Sequence, residues 1–77
     1  EPFKVGDYAI IKVRRKNILE KIIVKIVEIV ETNRNFEIIA KKPDSETKYI
    51  ITYNGIMCWS ENKEELETIL AADKYNL

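Results

Sequence analysis

Apolar residues in this chain gather in short β-branched runs divided by polar turn signals. Gly6-Asp7 precedes Tyr8-Ala9-Ile10-Ile11-Lys12-Val13, which predicts a first strand. Alternation puts Ala9, Ile11 and Val13 on one face and Tyr8, Ile10 and Lys12 on the other. Arg14, Arg15, Lys16 and Asn17 make a basic connection. Thr32-Asn33-Arg34-Asn35 reads as a turn. Phe36–Lys41 follows as a third strand, with Phe36, Ile38 and Ala40 on one face. Pro43-Asp44-Ser45-Glu46 is the next turn, and Lys48–Tyr53 a fourth strand. There Tyr49, Ile51 and Tyr53 share a side, and the pattern leaves open whether that side or the Ile50–Thr52 side faces out. Asn54-Gly55 is the strongest two-residue hairpin signal in the chain, ahead of a short fifth strand, Ile56–Trp59.

Residues 21–31 carry two patterns at once. Leu19, Ile22, Ile23, Ile26, Val27 and Val30 fall on one side of a helix, and Asn17 with Glu20 has the spacing of a capping box. Yet Ile22, Ile23, Val24, Ile26, Val27, Ile29 and Val30 lose side-chain freedom in a helix and favour a sheet. Strict alternation fails because Lys25 and Glu28 are three apart, and a bulge near Ile26-Val27 restores it by flipping the face once. A long, bent strand is the expectation, and an α+β fold with residues 18–31 helical is the alternative.

After Trp59 the pattern changes. Ser60 is a candidate cap, and Glu61, Glu64 and Glu65 crowd the first turns of a helix, where the dipole favours acid. Leu66, Ile69 and Leu70 form a narrow apolar stripe, expected to close one end of a barrel. The organisation is then a single domain over residues 1–77, with a barrel over about 3–59, a helix over about 60–72 and a tail at 73–77.

Five short strands and one helix fit a small barrel. Phe3-Lys4-Val5-Gly6-Asp7-Tyr8-Ala9 resembles the opening of SH3-like barrels, Tudor and KOW modules among them, where a hydrophobic-x-Val-Gly-Asp start leads into the first strand. The resemblance extends to the order of elements over residues 3–59 and implies architecture: a mostly β, five-stranded SH3-like barrel with a C-terminal α-helix. No KOW signature follows the first strand, and the proline-groove pattern of signalling SH3 domains is missing.

With 77 residues, 45% of them hydrophobic, the chain has enough apolar surface for one core. Lys25, Glu28 and Glu31 interrupt the longest apolar run, so no membrane partner is expected. The chain opens on Glu1 rather than Met and reads as a trimmed chain or a piece of a longer one. A single cysteine, Cys58, has no internal disulfide partner, which favours a reducing, cytoplasmic setting. Thirteen Lys/Arg balance thirteen Asp/Glu, which argues against a strongly basic nucleic-acid binder. The balance is nevertheless +3 over residues 1–59 and −3 over residues 60–77.

The chain has no histidine, and hence neither the commonest general base nor the commonest metal ligand. Cys58 stands in an apolar run beside Trp59 without a base to activate it, and both residues are expected in the core, with Trp59 packing on Leu66 and Leu70. Gly6 and Gly55 read as turn residues. No enzyme, cofactor or metal is expected. Binding residues are the remaining candidates. Arg14, Arg15 and Lys16, with Lys12 nearby, are the densest basic cluster, extended by Lys41 and Lys42 if the two loops meet. Tyr8, Tyr49 and Tyr53 supply aromatic surface for a partner. The expected function is non-catalytic protein–protein binding, as in a small phage- or mobile-element-encoded inhibitor or accessory factor. Nucleic-acid binding is the alternative.

Overall fold

A computed structural model describes residues 3–75 of the chain, with the side chains of residues 74 and 75 left undescribed. Five antiparallel strands form one sheet: β1 Tyr8–Arg15, β2 Ile18–Glu31, β3 Phe36–Lys41, β4 Lys48–Thr52 and β5 Ile56–Ser60. A 3-10 turn at Tyr53–Gly55 joins β4 to β5, and helix α1 spans Lys63–Tyr75. The spatial order is β4-β3-β2-β1-β5, so β4 and β5 are edges and no ladder closes the sheet between them. Asn54-Gly55 is therefore not a hairpin. The chain crosses there from one edge to the other in a 3-10 turn, because β5 pairs with β1 instead of folding back on β4. The two-residue hairpin turn lies at Lys16-Asn17, where both residues have positive φ (52° and 69°), the geometry that matches the twist of the flanking strands.

Residues 18–31 are strand throughout, which removes the helical alternative. β2 pairs with β1 through Ile18–Lys25 and with β3 through Lys25–Glu31. The register slips between Ile26 and Glu28, so Val27 is the extra residue. That bulge turns the β-branched run onto the same core twice: Ile22, Val24 and Ile26 before it, Ile29 after it. The core comprises Phe3, Ala9, Ile11, Val24, Ile26, Ile38, Ala40 and Ile51, with Val13, Tyr49 and Ile56 packed against it. Ile51 from one edge and Ile56 from the other meet the same cluster, so the sheet curls around it.

The Phe3–Asp7 turn plugs one side of this core. Gly6 takes φ +99°, a region costly for any residue with a Cβ. The Asp7 carboxylate, buried, accepts the Lys4 amide at 3.0 Å. Gly6 N–H donates to the Ile26 carbonyl at 2.9 Å, and Ile26 N–H to the Asp7 carbonyl at 2.8 Å. The Val-Gly-Asp opening thus ties the N-terminal segment to the residue where β2 bulges.

Helix α1 lies on the outer face of β5, β1 and β2, not across an end of the sheet. The cause is an apolar strip on that face: Ile10, opposite Ile23 of β2 and Cys58 of β5. Ile10 is 2% exposed and Leu66 0%, and neither belongs to the inner cluster, so they form a second, smaller layer. Asn62, rather than Ser60, caps the helix, accepting the Glu64 amide at 3.2 Å. Ser60 accepts the Asn62 amide at 3.0 Å and donates to Glu65. The helix runs past residue 72 and takes in 73–75 of the expected tail, while 76–77 lie outside the described residues. An ion pair between Lys21 and Asp73 holds its last turns against β2.

Candidate functional site

Three aromatic side chains converge where the N-terminal turn meets β5. Phe3 is 4% exposed. Its ring centroid lies 5.5 Å from that of Tyr53, in a tilted arrangement, and 5.7 Å from that of Trp59, edge to face. Both separations fall in the range where aromatic pairs attract beyond simple burial. Trp59 pairs with Ala9 and so shares the core-side face, opposite the face that α1 covers. It is not the cover for Leu66 and Leu70 that the apolar stripe suggested. Because β5 is an edge, no further strand shields the indole, which remains 42% exposed. Tyr53, in the 3-10 turn, is 49% exposed. A shallow cleft of about 410 Å³ opens on the Trp59 side, lined by Phe3, Lys4, Asp7, Trp59 and Ser60 among others. A second, of about 450 Å³, opens on the Tyr53 side against Phe36, Asn54 and the Thr32–Asn35 turn. The Lys4–Glu61 ion pair (3.4 Å) at the first cleft is solvent-exposed and contributes little to stability.

The other candidate residues are spread over the sheet. Arg14 and Arg15 are exposed at the end of β1, and Lys16 is in the turn beyond. Exposed Ile18 and Leu19 pair with Arg15 and Arg14, so the hairpin tip is mixed basic and apolar. Lys12 is exposed on the outer face, opposite Lys21. Lys41 stands opposite Lys25, seven residues along β2 from Ile18. That is about 23 Å of strand from the hairpin tip, at roughly 3.3 Å per residue. Lys41 pairs with Glu46 at 3.6 Å, and the Lys42 carbonyl accepts the Ser45 amide in the β3–β4 turn. Tyr49 is half-buried against the core, which answers the face question for β4: Tyr49 and Ile51 point in, Ile50 and Thr52 out. Tyr8 is half-buried on the outer face, with the Lys25 ammonium 5.9 Å from its ring centroid.

Two features had no local signal in the sequence. Phe3 and Trp59 belong to the aromatic rim only because β5 returns to β1, a long-range pairing. Likewise, Lys25, Lys41 and Lys48 stand directly opposite one another across β2, β3 and β4, a row set by register alone. Cys58 is half-buried beneath α1, and that burial pushes its thiol pKa up, opposed in part by Lys21. Such a shift lowers the thiolate fraction at neutral pH. Among the described residues no group of three or more Cys, Asp or Glu side chains is placed to hold a metal ion. Among them, too, no helix is long and apolar enough to cross a membrane. No protein-family model, curated protein or solved structure matches the chain.

Proposed function

We propose that this chain is a non-catalytic protein-binding module on an SH3-like barrel scaffold, working in the cytoplasm as a small inhibitor or accessory factor. The observation that carries the reading is the aromatic rim. Tyr53 and Trp59 expose about half of their surface on either side of a buried Phe3, which holds both rings in place. Pre-positioned Tyr and Trp side chains beside shallow clefts are the surface from which protein-binding hot spots are built. Rings already packed on Phe3 lose less freedom on binding than free side chains would, which favours their use as contacts. The barrel reading draws support from the curled sheet, whose two edges pack on one core, and from the Val-Gly-Asp turn at its start.

The test is affinity purification from the native host with the wild-type chain and with Trp59→Ala, Tyr53→Ala and the Arg14→Ala/Arg15→Ala pair. A specific protein should be retained by the wild type and the double-arginine variant, and lost with either aromatic change. The exposed Arg14-Arg15-Lys16 hairpin tip favours the second reading, nucleic-acid binding. On that reading the retained ligand is DNA or RNA, its affinity falls steeply with salt, and the arginine pair flattens the salt slope by roughly one per lost phosphate contact. That result would overturn the protein reading.

A further inference from the structure

Lys25, Lys41 and Lys48 occupy one cross-strand row on the outer face of the sheet, on the part that α1 leaves uncovered. Directly opposed side chains are about 5 Å apart at Cβ, and like charges there destabilise a sheet. Two of the three have offsetting partners within the chain. The Lys25 ammonium sits over the Tyr8 ring, and Lys41 pairs with Glu46. Lys48 has no ion pair among the described residues, and it stands at the open end of the row, on edge strand β4. Two residues on, on the same face, Ile50 is 73% exposed, the most exposed large apolar side chain among the described residues. Among the described residues, β4 thus presents a backbone edge with no strand paired to it and, at alternate positions on the outer face, a cation without an ion pair and an exposed apolar side chain.

We propose that β4 receives an extended segment of a protein partner as an added antiparallel strand, with a carboxylate opposite Lys48 and an apolar side chain opposite Ile50. This rests on the protein-binding reading above and names the partner's chemistry. An added strand continues the row by one place, and the pattern needed there is fixed by complementarity: acid against Lys48, apolar against Ile50. Main-chain hydrogen bonds supply affinity in this mode, and alternate side chains supply selectivity. The segment's N-terminal end then lies beside Tyr53, which follows Thr52 directly, so the edge and the aromatic rim form one continuous surface. Lysine on an edge strand also serves to repel unwanted strand pairing. The two roles differ in what loss of the charge does.

The experiment titrates the isotope-labelled chain with two synthetic peptides, blocked at both ends. One is Thr-Thr-Val-Thr-Glu, and the other has Lys in place of Glu. In antiparallel register the fifth residue faces Lys48 and the third faces Ile50. Amide shifts should concentrate at residues 48–52, with the Glu peptide binding about fivefold more tightly than the Lys peptide. Lys48→Glu should reverse the preference. Silent β4 amides at millimolar peptide, equal affinities, or no reversal would each overturn the proposal. Self-association of Lys48→Ala, with neither peptide bound by the wild type, would assign the lysine to edge protection and overturn it as well. So would a row that shifts with a short oligonucleotide but not with the Glu peptide. Loss of a host protein on Trp59→Ala despite silent β4 amides would defeat this proposal alone and leave the protein-binding reading intact.

Discussion

Leu66→Ala tests whether α1 is integral to the fold. Leu66 is fully buried in the thin layer beneath the helix, on the face that carries Ile10. Truncating a buried leucine costs about 2–5 kcal/mol, the larger part of the range where the site cannot collapse. Here one side of the layer is open: half-buried Leu70 borders a groove with Leu19 and Lys21, so partial collapse is available. That places the expected loss near 3 kcal/mol. A chain of this size has about 4–12 kcal/mol in total, at roughly 0.05–0.15 kcal/mol per residue. The loss is therefore a quarter or more of the whole, and the midpoint should fall by about 12–24 °C at roughly 4–8 °C per kcal/mol. Ile69, three residues on in the same apolar stripe, is half exposed, and Ile69→Ala should cost under about 1 kcal/mol. Urea unfolding followed by circular dichroism measures both. Equal costs for the two variants, or a loss below about 0.5 kcal/mol at Leu66, would mean that the helix does not hold its place on β1 and β5.

Two further substitutions probe the turns. A Cβ at Gly55 would stand 2.7 Å from Cγ2 of Ile51, so Gly55→Ala should destabilise by about 1–3 kcal/mol through overpacking, measured by urea midpoint. Replacing Lys16-Asn17 with Asn-Gly should raise stability by about 1 kcal/mol in thermal unfolding, because both positions have positive φ and an ordinary L residue there costs roughly 1–2 kcal/mol.

What could be read from the sequence was local. The bulge at Ile26-Val27 was legible because two charged residues three apart cannot share a strand face without one. β-branched content favours strand over the competing helical periodicity of residues 18–31, and the structure has strand throughout. Asn54-Gly55 misled because a hairpin signal describes a turn, whereas β5 is placed by pairing with β1, some fifty residues earlier in the chain. The same long-range pairing decided Trp59. Its partner is Ala9, so it faces the core side at an edge, and no neighbouring residue type carries that information. Alternation puts Ile10 on a face with Lys12, yet Ile10 is buried, because α1 covers the outer face at that point. The lysine row was invisible for a related reason: residues 25, 41 and 48 have no spacing in common, and only the register of two ladders aligns them.

The uneven charge distribution takes on meaning in this arrangement. The excess acid beyond residue 59 lies on and before α1, and it meets basic residues at two points: Lys4 of the N-terminal turn with Glu61, and Lys21 of β2 with Asp73. Both pairs sit where the helix segment borders β1, β2 and the N-terminal turn. The strands on the far side, β3 and β4, are outside the helix's reach; there Lys41 pairs with Glu46, and Lys48 is exposed. The outer face thus carries an acidic helix over one half and the lysine row on the other. At physiological salt, exposed charges more than about 8 Å apart are largely screened, so the acidic half does little to weaken the row at contact distance. The zero net charge keeps long-range steering weak, so on the β4 proposal selectivity rests on the register of a few side chains at the edge and little on the field of the whole chain.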